Sequence, residues 1–361
     1  MALSLAGVAF SLHLPSFMSV TLAFFWVTGF LSSTQDIAAD GGYISVTTPK
    51  EQSAWVGVQG ICWNGGRVVA SGLLVSATGY LFEQRLGGPS GSPEAELAAW
   101  QYAWMIVMLV LGALMAVLGA WHLKMLPQDV RSSNAPTTFA GGVATFGDTL
   151  KTFFQKPGIL LGVTFILLYR SGEGFIEKIG PLFMLDPTDK GGLGITNQAL
   201  GHIYGTVGTV GFMAGALLGG FFAAKMTLKR SIIVLALAMN IPHICYIVLA
   251  YANQPSLSMV TTMVTIEKFG YGFGSVAHML YMMQQIAPGK YKTAHYAFAT
   301  SLMGVGLMVP SMMSGWIQES LGYQHFFVFV LVASIPSIIA AAIAPFPHKE
   351  EAAGPRAVGG H

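Results

Sequence analysis

Three charged side chains within one apolar stretch are of the types that carry chemistry. If the stretch at 156–185 is helical, Arg170, Glu173 and Glu177 lie within an arc of about 60°, with Tyr169 beside them. An ionisable group at membrane depth costs several kcal/mol and is a functional candidate by default. The functional interpretation gives Arg170 an anionic substrate group and Glu173 or Glu177 a transported proton. The structural alternative is an Arg170–Glu173 pair at i, i+3 that neutralises itself.

A second polar stripe runs along the apolar stretch at 256–287. Its members lie within about 40° of one line down a helix. They are Glu267, Tyr271, Gly274, His278, Tyr281 and Gln285. Lys268 is about 100° from Glu267, so we do not expect it to share the stripe closely. The functional interpretation is a binding surface for substrate or protons, and the alternative is a packed helix–helix seam in which Tyr and Gln side chains satisfy each other.

A third group of charges lies in the first part of the chain. Asp36 and Asp40 are one helical turn apart, and Asn64 is one turn before Arg67. One interpretation is a charge network that locks one face of a cavity. The other is a structural Asp–Arg clamp between two helices, which we favour because Asp40 lies near the end of its stretch and close to water.

The composition indicates what kind of elements must position these residues. Only 9% of the 361 residues are Asp, Glu, Lys or Arg, against roughly a quarter in soluble proteins. The hydrophobic fraction is 53% and the mean hydropathy is +0.60. So few charges exclude a soluble globular enzyme, a disordered protein and a nucleic-acid binder, which needs clustered basic residues. The sequence predicts an all-α integral membrane protein.

Nine stretches reach the length of about 20 mostly apolar residues that a spanning helix needs. They are 16–40, 53–80, 98–123, 156–185, 199–224, 230–251, 256–287, 293–318 and 323–346. In the connections between them, twelve Lys and Arg residues fall on one side of the membrane and two on the other. By the positive-inside rule, the C-terminus and the central linker are predicted to be cytoplasmic.

An internal repeat relates the two halves of the chain. Residues 36–83 can be laid over residues 274–319, with helix, short basic loop, helix and Gly-aromatic pair in the same order. Parallel repeats of this kind mark transporters built from two similar bundles. The second half begins near Lys156, so its counterpart would begin about 80 residues before Met1. We therefore expect an N-terminally truncated twelve-helix protein of which about nine to ten helices are present.

The same reasoning divides the chain into four parts. Residues 1–124 are predicted to be an incomplete N-terminal helical bundle that lacks its first two helices. Residues 125–155 form a cytoplasmic linker with a possible interfacial helix. Residues 156–346 form a complete six-helix C-terminal bundle, and residues 347–361 form a cytoplasmic tail.

Four sequence runs resemble a known family. They are SSTQDIAADGGY, KMTLKR, EKFGYGFGSVAHMLYMMQQ and GKYKTAHYAFATSLMGVGLMVPSMMSGWIQE. The basic loop KMTLKR and the two-bundle plan resemble the major facilitator superfamily, and the other runs resemble its AmpG-type muropeptide permeases, which share a family with acetyl-coenzyme A transporters. Members often carry Ala-Tyr-Arg where this chain has Gly41, Gly42 and Tyr43, so a basic residue is missing there.

The resemblance implies a secondary transporter that imports a cell-wall-derived muropeptide or related amino-sugar solute with protons by alternating access. The chain has no Walker loop of the form GxxxxGK[ST], which argues against ATP as the driving force. We expect a monomer in the bacterial cytoplasmic (inner) membrane. Its expected partners are a small polar solute, protons and the lipid bilayer, with no nucleic acid, cofactor or metal.

Two other function classes remain open. A truncated, non-transporting remnant or scaffold is the main alternative, because the missing helices would contribute to the central cavity. A membrane-embedded enzyme is least favoured, because the sequence contains neither HExxH nor GxSxG and no acidic-His cluster with metal-ligand spacing.

Overall fold

A computed structural model describes residues 1–87, 92–125 and 138–348, except for a few side chains within helices. No strand occurs in these ranges. The helices are α1 (Ala2–Ser11), α2 (Phe17–Val46), α3 (Pro49–Val68), α4 (Val75–Leu86), α5 (Pro93–Met125), α6 (Phe139–Phe154), α7 (Ile159–Leu168), α8 (Ser171–Leu185), α9 (Asn197–Leu200), α10 (Thr209–Met226), α11 (Leu228–Asn240), α12 (Ile244–Tyr251), α13 (Leu257–Tyr281), α14 (Lys292–Ala333) and α15 (Ile335–Ile343). The predicted all-α architecture is confirmed, and the twelve-helix, two-bundle layout stays a prediction.

The chain forms two compact units. The first comprises Met1–Ala39 and Gly65–Ala144, and the second comprises Asp40–Asn64 and Thr145–His361. The second unit therefore includes the end of α2 and most of α3, besides α6 from Thr145 onward and the helices that follow it. The division into two bundles at the linker stays a prediction.

The first unit consists of long apolar helices that bury little of their surface. In the spanning window of α2 only 6% of residues are buried, and in that of α5 only 17%. Helix α1 packs closely on both neighbours, because a Cβ at Gly7 would meet the ring of Phe24 and one at Gly112 would meet the carbonyl of Ala2. Helix α4 adds a stack of Phe82 on Trp100 at 4.1 Å between ring centroids.

In the second unit, glycines let α10 and α13 approach closely. A Cβ added at Gly215 would collide with the backbone of Phe269, and one at Gly272 would collide with the carbonyl of Phe212. Small residues at such crossings allow tight helix packing in membranes. This contact fixes the position of α13, which carries the predicted polar stripe.

Two helix breaks in the second unit place polar side chains in its interior. Helices α7 and α8 are separated at Arg170, whose φ of −108° and ψ of 14° are not helical. Helices α11 and α12 are separated by a 3₁₀ turn over Ile241–His243. Pro242 lies in that turn and cannot donate a backbone hydrogen bond, which favours a break there. Arg170 and His243 both project from these interruptions.

Among the residues that the structure describes, six helical stretches are long and apolar enough to cross a membrane. They are Phe17–Val46, Pro93–Met125, Ile159–Leu185, Gln198–Met226, Leu228–Tyr251 and Lys292–Ile343. The last one has a backbone break at Gly322, with φ of 69°, and so contains both spans predicted at 293–318 and 323–346. The predicted spans at 53–80 and 256–287 are helical but do not belong to the six, because their polar residues lower the hydropathy.

Helix α6 lies in the region where the sequence indicates an interfacial helix. Its Phe153 is fully buried and packs edge-to-face on Phe298, with 4.7 Å between the ring centroids. Its Phe146 is 64% exposed. One apolar face of α6 thus packs on α14. The placement of α6 at a membrane surface stays a prediction. Residues 126–137 of the predicted linker lie outside the described residues.

Candidate functional site

The break between α7 and α8 holds the Arg170 guanidinium against α13. Its Nη2 donates a hydrogen bond to the Tyr271 hydroxyl, and its Cζ lies 5.2 Å from the Tyr271 ring centroid. Its Nε is buried and has no hydrogen-bond partner. Beside it, fully buried Tyr169 donates a hydrogen bond to the carbonyl of Gly274 at 2.9 Å. Arg170 is therefore held in place while keeping an unused donor.

One turn into α8, Glu173 meets a lysine from α13. The Lys268 ammonium donates a hydrogen bond to Glu173 Oε1 at 3.3 Å and lies 3.2 Å from Glu267 Oε2. Both carboxylates are buried, with 2% and 0% of their side chains exposed. A single ammonium thus neutralises one of two buried carboxylates and holds α8 against α13.

A third helix contributes a histidine to the same place. His243 Nε2 lies 3.8 Å from Glu173 Oε2, and neither atom has a hydrogen-bond partner. Ligating atoms of Glu173, His243 and Glu267 all lie within 4.8 Å of one another. We call Glu173, His243, Glu267 and Lys268 the charge cluster.

The spacing of these atoms is also within reach of a shared metal ion. However, the Lys268 ammonium already supplies a positive charge 3.2–3.3 Å from both carboxylates. A divalent cation would have to displace it or bear its repulsion, since unit charges a few ångströms apart in a dry interior interact strongly. The arrangement therefore suits a monovalent charge, such as a proton, better than a metal.

The charge cluster corrects one sequence prediction and adds one residue. Lys268 was expected to lie away from the stripe of Glu267, yet its ammonium contacts that carboxylate. The 100° helical projection places Cα atoms only, and the flexible four-carbon stem of lysine reaches around the helix. His243 was not predicted. The only sequence signal was its position directly after Pro242, where the helix is interrupted.

The remaining polar residues of the stripe make contacts away from the charge cluster. His278 is fully buried between aromatic rings, with centroids 5.1 Å from Tyr169 and 5.7 Å from Phe165. The Tyr281 hydroxyl donates to the carbonyl of Pro345 at 2.9 Å.

Gln285, in the π-helical turn after α13, binds the backbone of a segment near the C-terminus. Its Nε2 donates to the His348 carbonyl at 3.2 Å, and its Oε1 accepts from the His348 amide at 3.1 Å. In the described structure Gln285 and Tyr281 therefore hold the segment that follows α15. Their role in substrate binding stays a prediction.

Glu177 differs from Glu173 although both lie on α8. Glu173 is buried in the charge cluster, whereas Glu177 is exposed. Both carboxylates act electrostatically on Tyr271. Of the two predicted proton sites, only Glu173 is enclosed by protein.

The four residues of the first-half charge network divide between the two units. Asp36 is exposed, and Asp40 accepts a hydrogen bond from Gln59 Nε2 at 3.4 Å. Asn64 donates to the carbonyl of Gly60 in its own helix at 2.9 Å. The side chain of Arg67 lies outside the described residues, so the predicted Asp–Arg clamp is not tested.

A second group of charges lies outside the membrane-spanning segments. Asp148 on α6 accepts hydrogen bonds from Tyr291 at 2.6 Å and Lys290 at 3.1 Å. These two bonds hold the pKa of Asp148 below its ordinary value. The pKa of Lys290 is raised, mainly by a hydrogen bond with Tyr291 and to a smaller extent by the hydrogen bond with Asp148. We call Asp148, Lys290 and Tyr291 the surface cluster.

Comparison with known proteins bears on the family. No family model matches the chain. It is 23% identical over 314 residues to the anhydromuropeptide permease of Escherichia coli K12, which covers 87% of this chain and 57% of that protein. It is 24% identical over 319 residues to the transporter named AmpG 2 of Rickettsia typhi, covering 87% of this chain and 68% of that protein.

It is also 28% identical over 190 residues to a transporter named AmpG 1 of Rickettsia bellii, which covers 53% of this chain and 44% of that protein. The chain thus spans about half the length of the first relatives it matches. These relatives are named permeases and transporters, not enzymes. Together with the apolar helices, they identify an integral membrane protein related to the AmpG-type permeases, as the sequence motifs indicate.

Proposed function

We propose that this chain works in a secondary transporter that imports a cell-wall-derived muropeptide or related amino-sugar solute together with protons. Alternating access between two helical bundles moves the cargo across the bacterial cytoplasmic membrane, with the C-terminus in the cytoplasm, and the protein acts as a monomer. The observation that carries the proposal is the charge cluster next to Arg170. Buried ionisable groups at membrane depth mark substrate and proton pathways.

Each part of the site has a role in this proposal. Arg170 is half-buried, and its guanidinium supplies the positive charge that would attract a carboxylate of the cargo peptide. The Tyr271 ring holds the guanidinium in place. Glu173 lies only three residues further along the chain, so a change at its carboxylate alters the field at Arg170. This proximity is the physical basis for coupling a proton to the cargo.

The proposal is tested by uptake of radiolabelled anhydromuropeptide in bacterial cells whose own permease gene has been deleted. Wild-type protein is expected to restore uptake, and a protonophore is expected to abolish it. Glu173→Gln removes a buried carboxylate and is expected to lower uptake at least about tenfold, the equivalent of 1.4 kcal/mol. Glu319→Gln is the matched control, because Glu319 is an exposed carboxylate on α14.

The outcomes separate the candidate functions. Protonophore-sensitive uptake that is lost in Glu173→Gln and kept in Glu319→Gln supports the proposal. Uptake that persists in full with the protonophore would contradict proton coupling. Wild-type protein that inserts into the membrane and takes up nothing would favour the non-transporting scaffold instead.

A further inference from the structure

The hydrogen bonds around His243 determine which of its nitrogens carries a proton. The Ser334 hydroxyl donates its only proton to the carbonyl of Val330 at 2.8 Å. The same oxygen lies 3.1 Å from His243 Nδ1 and must therefore accept there. Nδ1 is accordingly the protonated nitrogen of the neutral ring, an assignment that follows from the network.

The other ring nitrogen then presents a lone pair to a carboxylate. His243 Nε2 faces Glu173 Oε2 at 3.8 Å, and both atoms are buried without a partner. Two acceptors facing each other in a dry interior are unfavourable, because each lacks the donor it would find in water. One proton placed on Nε2 would replace this repulsion with an ionic attraction across the 3.8 Å between the two atoms.

The charged groups around His243 come from several helices. Glu173 comes from α8, with Arg170 at the start of that helix, and Glu267 and Lys268 come from α13. The uncharged titratable groups nearby are Tyr271 of α13 and the hydrogen-bonded hydroxyls of Tyr204 and Tyr246, while α14 contributes the neutral Ser334. Within the four-residue charge cluster two carboxylates face one ammonium, and Arg170 adds a second positive charge near Glu173. Glu173 Oε2 is the carboxylate oxygen opposite the imidazole, and a proton on Nε2 would place a positive charge facing it.

We propose that His243 is the proton-accepting residue of this chain, which takes up a proton on Nε2, the ring nitrogen that faces Glu173 Oε2. Uptake forms one N–H bond with a proton from the aqueous phase, and release breaks that bond and returns the proton to water, with no electron transfer. With His243 charged, Glu173 has a second cationic partner and no longer depends on Lys268. The role of this step in transport rests on the proposed function, whereas the protonation of His243 does not.

Protonation is measured directly by nuclear magnetic resonance on purified full chain labelled with ¹⁵N-histidine in nanodiscs. The chain has nine histidines, and the His243 signals are those missing from the His243→Gln spectrum. Nδ1 is expected to stay protonated throughout a pH titration, while Nε2 changes from unprotonated to protonated. If His243→Gln does not fold, His243→Asn provides the assignment, because its amide can still bond to Ser334.

Transport assays then separate a proton carrier from a structural residue. His243→Gln is expected to keep exchange of labelled for unlabelled anhydromuropeptide, which needs no net proton movement. It is expected to lose the stimulation of uptake by an inward pH gradient, which for one proton per cargo is about tenfold in accumulation per pH unit. His202→Gln is the matched control, since His202 is exposed in the same unit, and it is expected to behave as wild type.

Several results would overturn the inference. In the titration, these are a His243 Nε2 signal that does not respond to pH, or one that responds to added Zn²⁺ but not to pH. In the transport assays, they are an equal loss of exchange and of gradient-driven uptake in His243→Gln, or a stimulation of uptake by the pH gradient in that variant equal to that of wild type. If the wild-type protein neither exchanges nor accumulates anhydromuropeptide, the proposed function fails, and the titration of Nε2 still decides whether His243 is a proton acceptor.

Discussion

The second unit contains two groups of charges whose surroundings differ. In the charge cluster, Glu173 and Glu267 are at most 2% exposed and share the ammonium of Lys268. In the surface cluster, the side chains of Lys290 and Asp148 are 70% and 43% exposed, although their ion pair is as short, at 3.1 Å. Distance alone therefore does not distinguish them.

Burial determines what each contact is worth. An exposed ion pair contributes about 0–1 kcal/mol, because water and salt screen it. Removing one partner of a buried pair costs about 3–5 kcal/mol, because the other charge is left uncompensated. The charge cluster is thus the part of the molecule where a small chemical change has a large effect. The surface cluster connects α6 to the loop before α14, and a change in it has a small effect on stability.

The largest effect is expected from removing the shared ammonium. Lys268→Met leaves two carboxylates facing each other and should lower the free energy of unfolding by about 3–5 kcal/mol. Thermal unfolding of the purified protein, followed by tryptophan fluorescence, measures it. Adding Glu267→Gln should restore part of the loss. Lys178→Met removes an exposed lysine of α8 and serves as the control. If Lys268→Met melts at the same temperature as Lys178→Met, burial does not make the charge cluster more important for stability than exposed charges.

A smaller effect is expected from loosening the helix that carries the buried charges. Gly272→Ala places a methyl group against the carbonyl of Phe212 and should destabilise the protein by about 1–3 kcal/mol through overpacking. Gly304→Ala on α14 meets no atom within 4 Å and should leave the melting temperature unchanged. If Gly272→Ala is as stable as Gly304→Ala, the close α10–α13 contact does not position the charge cluster.

Arg170→Lys tests whether the geometry of a half-buried charge matters beyond its sign. Lysine keeps the positive charge but loses the planar group that lies over the Tyr271 ring and its several donors. The KM for anhydromuropeptide is expected to rise about tenfold, or about 1.4 kcal/mol. Arg230→Lys changes an exposed arginine of α11 and should have no effect. An unchanged KM in Arg170→Lys would exclude a fork-like contact with the cargo.

The smallest effect is expected in the surface cluster. The lowered pKa of Asp148 means that its contribution to stability is present above the ordinary carboxyl pKa and is lost as pH falls through the lowered value. Asp148→Asn should destabilise the protein least of these variants at neutral pH, and the difference from wild type should shrink in high salt. Unfolding at two salt concentrations measures this. A loss as large as that of Lys268→Met would remove the distinction between the clusters.

Helical periodicity predicted part of the site. The arc of Arg170 and Glu173 and the line from Glu267 to Tyr271 follow from 100° per residue, and the structure brings these residues to one place. Apolar length also predicted the helices, because a spanning segment must satisfy its own backbone.

The missing parts of the prediction have physical reasons. Lys268 reaches Glu267 through side-chain length, which a projection of Cα positions does not contain. His243 arrives from another helix through the turn at Pro242, and its approach to Glu173 depends on how the helices pack. Gln285 looked like part of a binding stripe, yet its amide is occupied by the backbone of His348. Tertiary partners of this kind cannot be read from spacing along one helix.

Coupling of a proton to the cargo by the buried charge cluster is tested by recording the pH of a lightly buffered suspension of proteoliposomes when anhydromuropeptide is added. Wild type and Glu319→Gln are expected to make the external medium transiently more alkaline as protons enter with the cargo, while Glu173→Gln produces no change. An alkaline shift of wild-type size in Glu173→Gln would contradict the account.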